Sequence, residues 1–324
     1  MDTSPGFCHP FARRGIDRSR ASGTFAGMPT PTLLYGTAWK EDLTENCVYE
    51  ALRAGFRAVD TANQRKHYFE EGAGNGIKKA CAELGLRRED LFLQTKFTYA
   101  RGQDHRKPYD EQASLTVQVQ QSFESSLQHL GTDYLDSYVL HGPSAPVGLT
   151  AADWETWAKM EELFRKGGVK ALGVSNVDLA QLKELHARSK VKPAYVQNRC
   201  YAQRKWDREI RDFCRENGIV YQGFSLLTAN LEFLGGQVKR PAGRNVPKAE
   251  FIETMEGVHP RIKEIVRQSG KALEQVVFRF CQQVGMLPIT GTRDPAHMRL
   301  DLALEDFSLT AGQLETIENV AFLS

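Results

Sequence analysis

"WETWAKMEELFRKGGVKALGVSN", residues 154–176, contains one complete unit of the fold. A helix-like amphipathic stretch closes on Gly167 and Gly168, the residue type that suits a helix C-terminus. A short apolar run follows and ends at the polar pair Ser175 and Asn176. The same unit recurs on both sides. Strand-like runs occur as "TLLYGT" near 32, "FRAVD" ending at 60, "LFLQTK" ending at 96 and "LDSYVLH" ending at 141. Beyond "VKALGVS", ending at 175, come "AYVQN" ending at 198, "IVYQGF" ending at 224 and "MLPIT" ending at 290. Helix-like segments separate them, among them "ENCVYEALRAG", "SLTVQVQQSFESSLQHLG", "LAQLKELHARS", "REIRDFCRENG" and "PRIKEIVRQSG". Strict alternation of strand and helix implies a parallel sheet with right-handed crossovers. Eight repeats predict an α/β fold of the (β/α)8 TIM-barrel type, a parallel eight-stranded barrel surrounded by helices, as one domain over 30–324. An open doubly wound sheet would more often carry a GxGxxG turn after its first strand. Only "GAGNG" at 72–76 approximates one, with the wrong spacing and too far from its strand.

Composition narrows the function. Forty-two basic against 40 acidic residues give a formal charge of +2, without the one-sided field that nucleic-acid binding needs. No stretch approaches the ~20 apolar residues that cross a bilayer. Cysteines at 8, 47, 81, 200, 214 and 281 form no CxxC pair or metal-ligand spacing, so no metal is expected and a reducing cytoplasmic setting fits. Residues 1–29 read as a flexible extension whose Arg and Ser content resembles an organelle transit peptide, while Asp2 and Asp17 speak for an ordinary tail.

The polar residues fall into a pattern. Asp60, Lys96, His141, Ser175, Asn176, Gln197 and the aromatic Phe224 each lie at or just past the C-terminal end of a strand-like run, the face on which barrels assemble active sites. Singly, each has a structural reading: Asp60 and Thr61 as a helix N-cap, Lys96 as a rim charge, His141 as a hydrogen-bonded histidine, Ser175 with Asn176 as a cap, Gln197 as a partner for loop backbone. Convergence on one mouth favours chemistry instead. Asp60, Lys96 and His141 beside a tyrosine suit proton transfer to a developing alkoxide. A phenol titrates near 10 and needs a neighbouring cation, which Lys96 would supply with Asp60 holding the ammonium. His141 would orient the substrate oxygen.

The blocks "LQHLGTDYLDSYVLHGP" at 127–143 and "MEELFRKGGVKALGVSN" at 160–176 carry a family resemblance, supported in order by "GTAWK" at 36–40, "VDTA" at 59–62 and "LQTKF" at 93–97. On these motifs the chain, from about Leu33 to its end, resembles the aldo-keto reductases. The resemblance implies a barrel that binds a nicotinamide dinucleotide, NADPH in preference with NADH as the alternative, and reduces small aldehydes and ketones. It implies a catalytic set of Asp60, a tyrosine, Lys96 and His141. The tyrosine departs from the family spacing, because the fifth residue after Asp60 is Arg65. The loop to Glu70, Glu71 and Gly72 is about two residues longer than usual, which moves the tyrosine to Tyr68. Arg65, Lys66 and His67 then line the rim, where a basic run could accept an anionic substrate group, or sit in solvent.

The same resemblance places Gly36, Thr37 and Asp60 near the nicotinamide ribose, and Ser175, Asn176 and Gln197 at the carboxamide. Phe224 stands at the ring-stacking position, with Ser225 and Leu227 toward the pyrophosphate. In "ITGTRDPAHMRLD", Thr290, Gly291, Thr292, Arg293 and His297 occupy the positions near the adenosine phosphate, and Asp301 stands at an asparagine position near the adenine. Gly291 stands where a lysine is common and His297 where an arginine is, leaving Arg293 as the replacement cation. Trp39 and Phe97 are expected as pocket walls. A small carbonyl compound is the expected partner, and a monomer or weak oligomer the expected assembly. A second functional reading is a nicotinamide-binding protein with little turnover, like the potassium-channel beta subunits, serving interaction or redox sensing.

Overall fold

Eight short, largely buried runs form the strands β1 (Leu34–Gly36), β2 (Ala58–Asp60), β3 (Phe92–Phe97), β4 (Ser137–Leu140), β5 (Leu172–Ser175), β6 (Tyr195–Arg199), β7 (Val220–Phe224) and β8 (Met286–Thr290). In the computed structural model they pair in parallel in chain order, and β8 closes onto β1. The expected barrel is therefore present, with each strand inside or within one residue of the run that marked it. Residues 31–235 and 255–323 are described, with the backbone of strands Thr24–Phe25, Met28–Pro29, Gln237–Lys239 and Glu250–Ile252. The chain divides into a unit ending at Thr30 and a unit beginning at Pro31. In the first, Thr24–Phe25 pairs antiparallel with Met28–Pro29; the flexible extension expected over 1–29 otherwise lies outside the described residues.

Helices α1 (Thr44–Ala54), α2 (Glu70–Leu84), α3 (Leu115–Leu130), α4 (Ala151–Arg165), α5 (Leu179–Arg188) and α6 (Arg208–Glu216) follow the first to sixth strands in turn, the fourth and fifth with capping boxes at Thr150 and Asp178. Gly131, at φ 62°, ends α3 in the left-handed conformation that glycine tolerates best. "GAGNG" lies inside α2 and is a packing device, not a phosphate loop. A Cβ on Gly74 would meet the His129 carbonyl oxygen at 1.8 Å, and one on Gly76 would meet that of Glu45 at 2.4 Å. The glycines let α2 press directly against α3 and α1.

Inside the barrel, period-two alternation stacks side chains in tiers. Phe92 and Tyr195 meet at 5.6 Å between centroids in the lowest. Two residues further along their strands come Gln94 and Gln197, joined by Asp60 and Gln222; two further still come Lys96, Arg199 and Phe224. Residues of opposite parity point outward, so Phe97 packs edge-on against Tyr99 at 5.4 Å and against Tyr109, fully buried. Phe97 is thus core and not the pocket wall expected of it.

Candidate active site

Three glutamines and one aspartate fill the middle tier. Gln94 Nε2 donates to Asp60 Oδ1 at 2.7 Å and to Gln222 Oε1 at 2.8 Å. Gln197 Nε2 donates to the same two oxygens at 3.0 and 2.9 Å, and Gln222 Nε2 donates to Gln94 Oε1 at 3.0 Å. Bonds between β3 and β7, strands that are not neighbours, can only cross the barrel interior. Both N–H groups of Gln94 and of Gln197 are engaged, which fixes the orientation of each amide. Gln197 Oε1 remains outside this bonding.

Above this tier, Lys96 Nζ donates to both oxygens of Asp60 at 2.7 Å and to the Thr61 carbonyl at 2.7 Å. Burial pulls the ammonium below its ordinary range, with Asp60 opposing. The Tyr68 ring centroid lies 5.2 Å from Lys96 Nζ and 5.9 Å from that of His141, which it meets edge-on. The structure thus brings together Asp60, Tyr68, Lys96 and His141. Burial first, and then the Asp60 carboxylate, raise the Tyr68 phenol above its ordinary value. Arg199, not Lys96, is the cation that draws it down, a departure from the expected division of labour. The phenol is held protonated, the form that can give up a proton.

His141 stays neutral because burial, Lys96 and His67 together lower its pKa to about 3. Its Nδ1 lies 2.6 Å from Thr98 Oγ1, a partner the sequence reading did not identify. With the threonine hydroxyl donating, the ring hydrogen resides on Nε2.

The loop carrying Tyr68 is fastened by its basic run. Arg65 pairs with Glu41 at 3.0 Å and lies over the Phe69 ring at 4.4 Å. The Trp39 amide donates to the His67 carbonyl at 2.7 Å, and the two rings meet at 3.9 Å. Arg65 is therefore spent on a carboxylate, while Lys66 is exposed. Trp39 is half-buried beside the loop that carries Tyr68.

Of the remaining predicted residues, Ser175 Oγ donates to the Gln197 carbonyl at 2.6 Å. Asn176, left-handed at φ 54°, donates to the His141 carbonyl at 2.8 Å and to Ser175 Oγ. Thr37 bonds the Asp60 carbonyl through N and Oγ1, and Gly36 lies where a Cβ would strike Ile289 at 2.8 Å. Phe224, Ser225 and Leu227 are half-buried, Ser225 at φ 56°.

At the end of β8, Gly291 is exposed, and Thr292, Arg293 and His297 are half-buried. Lys40 from the β1–α1 loop donates to the Gly291 carbonyl at 2.6 Å, and its Nζ lies 3.6 Å from where a Cβ on residue 291 would be. A lysine thus stands beside the position that lacks one; burial lowers its pKa to about 8. Asp301 corrects another expectation. It is 2% exposed, accepts from Thr290 Oγ1 at 2.7 Å and leaves Oδ1 unpartnered among the described residues, so it faces the protein and not an adenine. Among the described residues no cluster of His, Cys, Asp and Glu could hold a metal, and no helix is long and apolar enough to cross a membrane.

Set beside known proteins, residues 31–321 match the model of the Aldo/keto reductase family. The chain belongs to that family. It is 28% identical over 294 residues to an uncharacterised oxidoreductase of Bacillus subtilis, covering 90% of this chain and 89% of the relative. It is also 28% identical to a probable NAD(P)H-dependent D-xylose reductase of Emericella nidulans, covering 91% of each. A solved aldo-keto reductase complexed with NADPH superposes with a TM-score of 0.72 at 25% identity, covering 91% of this chain and 85% of that one.

Proposed function

We propose that this protein is an NAD(P)H-dependent reductase of small aldehydes and ketones in which Tyr68 gives the proton. The observation that carries the reading is the placement of Tyr68 between Lys96 and His141, despite the lengthened loop. Membership of the family and the relative named as an NAD(P)H-dependent xylose reductase support the reaction class.

The site's donor and acceptor set fits a nicotinamide dinucleotide. Gln197 Oε1 and Ser175 Oγ, whose own hydrogen is spent on the Gln197 carbonyl, are left as acceptors for a carboxamide N–H pair. Phe224 offers an aromatic face, while Lys40 and Arg293 bring positive charge to the end of β8 for phosphate. When bound, a reduced nicotinamide supplies a hydride to a carbonyl carbon. The chain's own residues manage the oxygen: neutral His141 donates a hydrogen bond from Nε2 and orients it, and Tyr68 passes its phenolic proton to it. The Arg199 guanidinium, which draws the phenol down, favours the phenolate left behind, while Lys96, clasped by Asp60, lies 5.2 Å from the ring centroid.

The test is oxidation of NADPH and NADH with small aldehydes and keto acids, for the wild type and Tyr68→Phe. Turnover should drop by about 10²–10⁴-fold in the mutant while nicotinamide fluorescence still reports binding. Undiminished turnover would remove Tyr68 as the acid. A wild type that binds cofactor and reduces none of the panel would favour the low-turnover binding protein.

A further inference from the structure

Arg199 occupies the upper tier of the barrel beside the proposed proton donor. Gln197 faces the interior, so Arg199, two residues on, shares its side of β6 at the mouth. It pairs in register with Phe224, and its guanidinium lies 5.4 Å from the centroid of that ring. Its charge reaches Tyr68, lowering the phenol against burial and Asp60.

Four other cations near this rim are already engaged by carboxylates. Arg65 holds Glu41 at 3.0 Å, Arg106 holds Asp104 at 2.5 Å, Lys107 holds Glu111 at 2.8 Å and Lys96 holds Asp60 at 2.7 Å. Arg199 is exposed, and among the described residues it has an aromatic face for a partner and no ion pair. An arginine resting on a ring keeps its N–H fork available, and that fork matches a carboxylate in two parallel hydrogen bonds.

We infer that Arg199 is an anion-recognising residue of the substrate pocket, and that the carbonyl compounds this protein prefers carry a carboxylate. The inference rests on the carbonyl-reductase reading and adds the substrate's charge to it. It also moves the anion site from the basic run of the Tyr68 loop to β6. A cofactor phosphate offers the same chemistry, so the test separates the two sources.

Succinic semialdehyde and butanal are four-carbon aldehydes that differ in a terminal carboxylate. For the wild type, kcat/KM should favour the semialdehyde. In Arg199→Ala the ratio of the two kcat/KM values should fall about 10- to 100-fold, and Arg199→Lys should restore part of it. The Kd for NADPH, from nicotinamide fluorescence, should move less than twofold. A ratio that stays fixed would overturn the proposal, and a weakened NADPH complex with a fixed ratio would assign Arg199 to the cofactor. A readout independent of turnover is titration of the NADPH complex with succinate, followed by the same fluorescence: a saturable response in the wild type and its loss in Arg199→Ala are expected. No response in the wild type would sink the proposal even where reduction is observed, whereas failure to oxidise NADPH with any carbonyl sinks the reductase reading alone.

Discussion

Lys96 Nζ sits 2.7 Å from each carboxylate oxygen of Asp60, with the lysine side chain wholly buried. Removing one member of such a pair leaves a charge without its counterion, at a cost of about 3–5 kcal/mol. Lys96→Met should therefore lower both thermal stability and turnover, whereas Asp60→Asn combined with Lys96→Met should regain most of the stability and none of the rate. Melting curves and NADPH oxidation on the three variants check this; a double variant as unstable as the single would show that the pair is not coupled.

The glutamine tier makes a related demand. Gln94→Leu takes a donor from Asp60 Oδ1 and from Gln222 Oε1, and leaves Gln222 Nε2 without Gln94 Oε1. The expected loss is about 1–3 kcal/mol. Adding Gln222→Leu removes the orphaned amide and should recover stability, while turnover stays below wild type because Asp60 lacks the Gln94 donor and Gln197 lacks the Gln222 acceptor. If the double substitution restores turnover as well, the tier is filler and not a positioning device.

A pH prediction comes from Asp301. Burial, with Glu274 adding to it, pushes its carboxyl up to about 7 from the ordinary 3.8. Between those values the folded protein holds a proton that the unfolded chain has released. Stability from this group is therefore present below about 3.8 and lost as pH rises through about 7. Asp301→Asn should raise Tm at pH 8 by an amount worth on the order of 1–3 kcal/mol, with the gain shrinking toward pH 4. Equal gains at both values would contradict a buried, protonated carboxyl.

The barrel was legible because each strand is a short apolar run bounded by helix signals, and Asp60, Lys96 and His141 were legible as strand-end residues. Parity within a strand was also available and went unused. Once Lys96 faces inward, period two sends Phe97 outward and Gln94 inward, and the same step from Gln197 reaches Arg199. Other features were not local at all. Lys40 meets the Gly291 carbonyl across 251 residues, and no spacing announces that contact. Gly74 and Gly76 resembled a loop because glycine permits both sharp turns and close helix contact, and only the neighbouring backbone distinguishes the two.

The extra length of the loop before α2 has a consequence of its own. A longer segment has more shapes to explore, so lengthening it should scatter the group at its tip and slow any reaction awaiting it. Here Arg65 clasps Glu41 and His67 stacks on Trp39, so the segment that grew is pinned where it grew. Tyr68 is therefore preorganised before a ligand arrives, and the loop exchanges sequence register for tether points without surrendering reach. Variation in length at the rim of such a barrel is compatible with invariant chemistry at its axis whenever the inserted residues carry their own anchors.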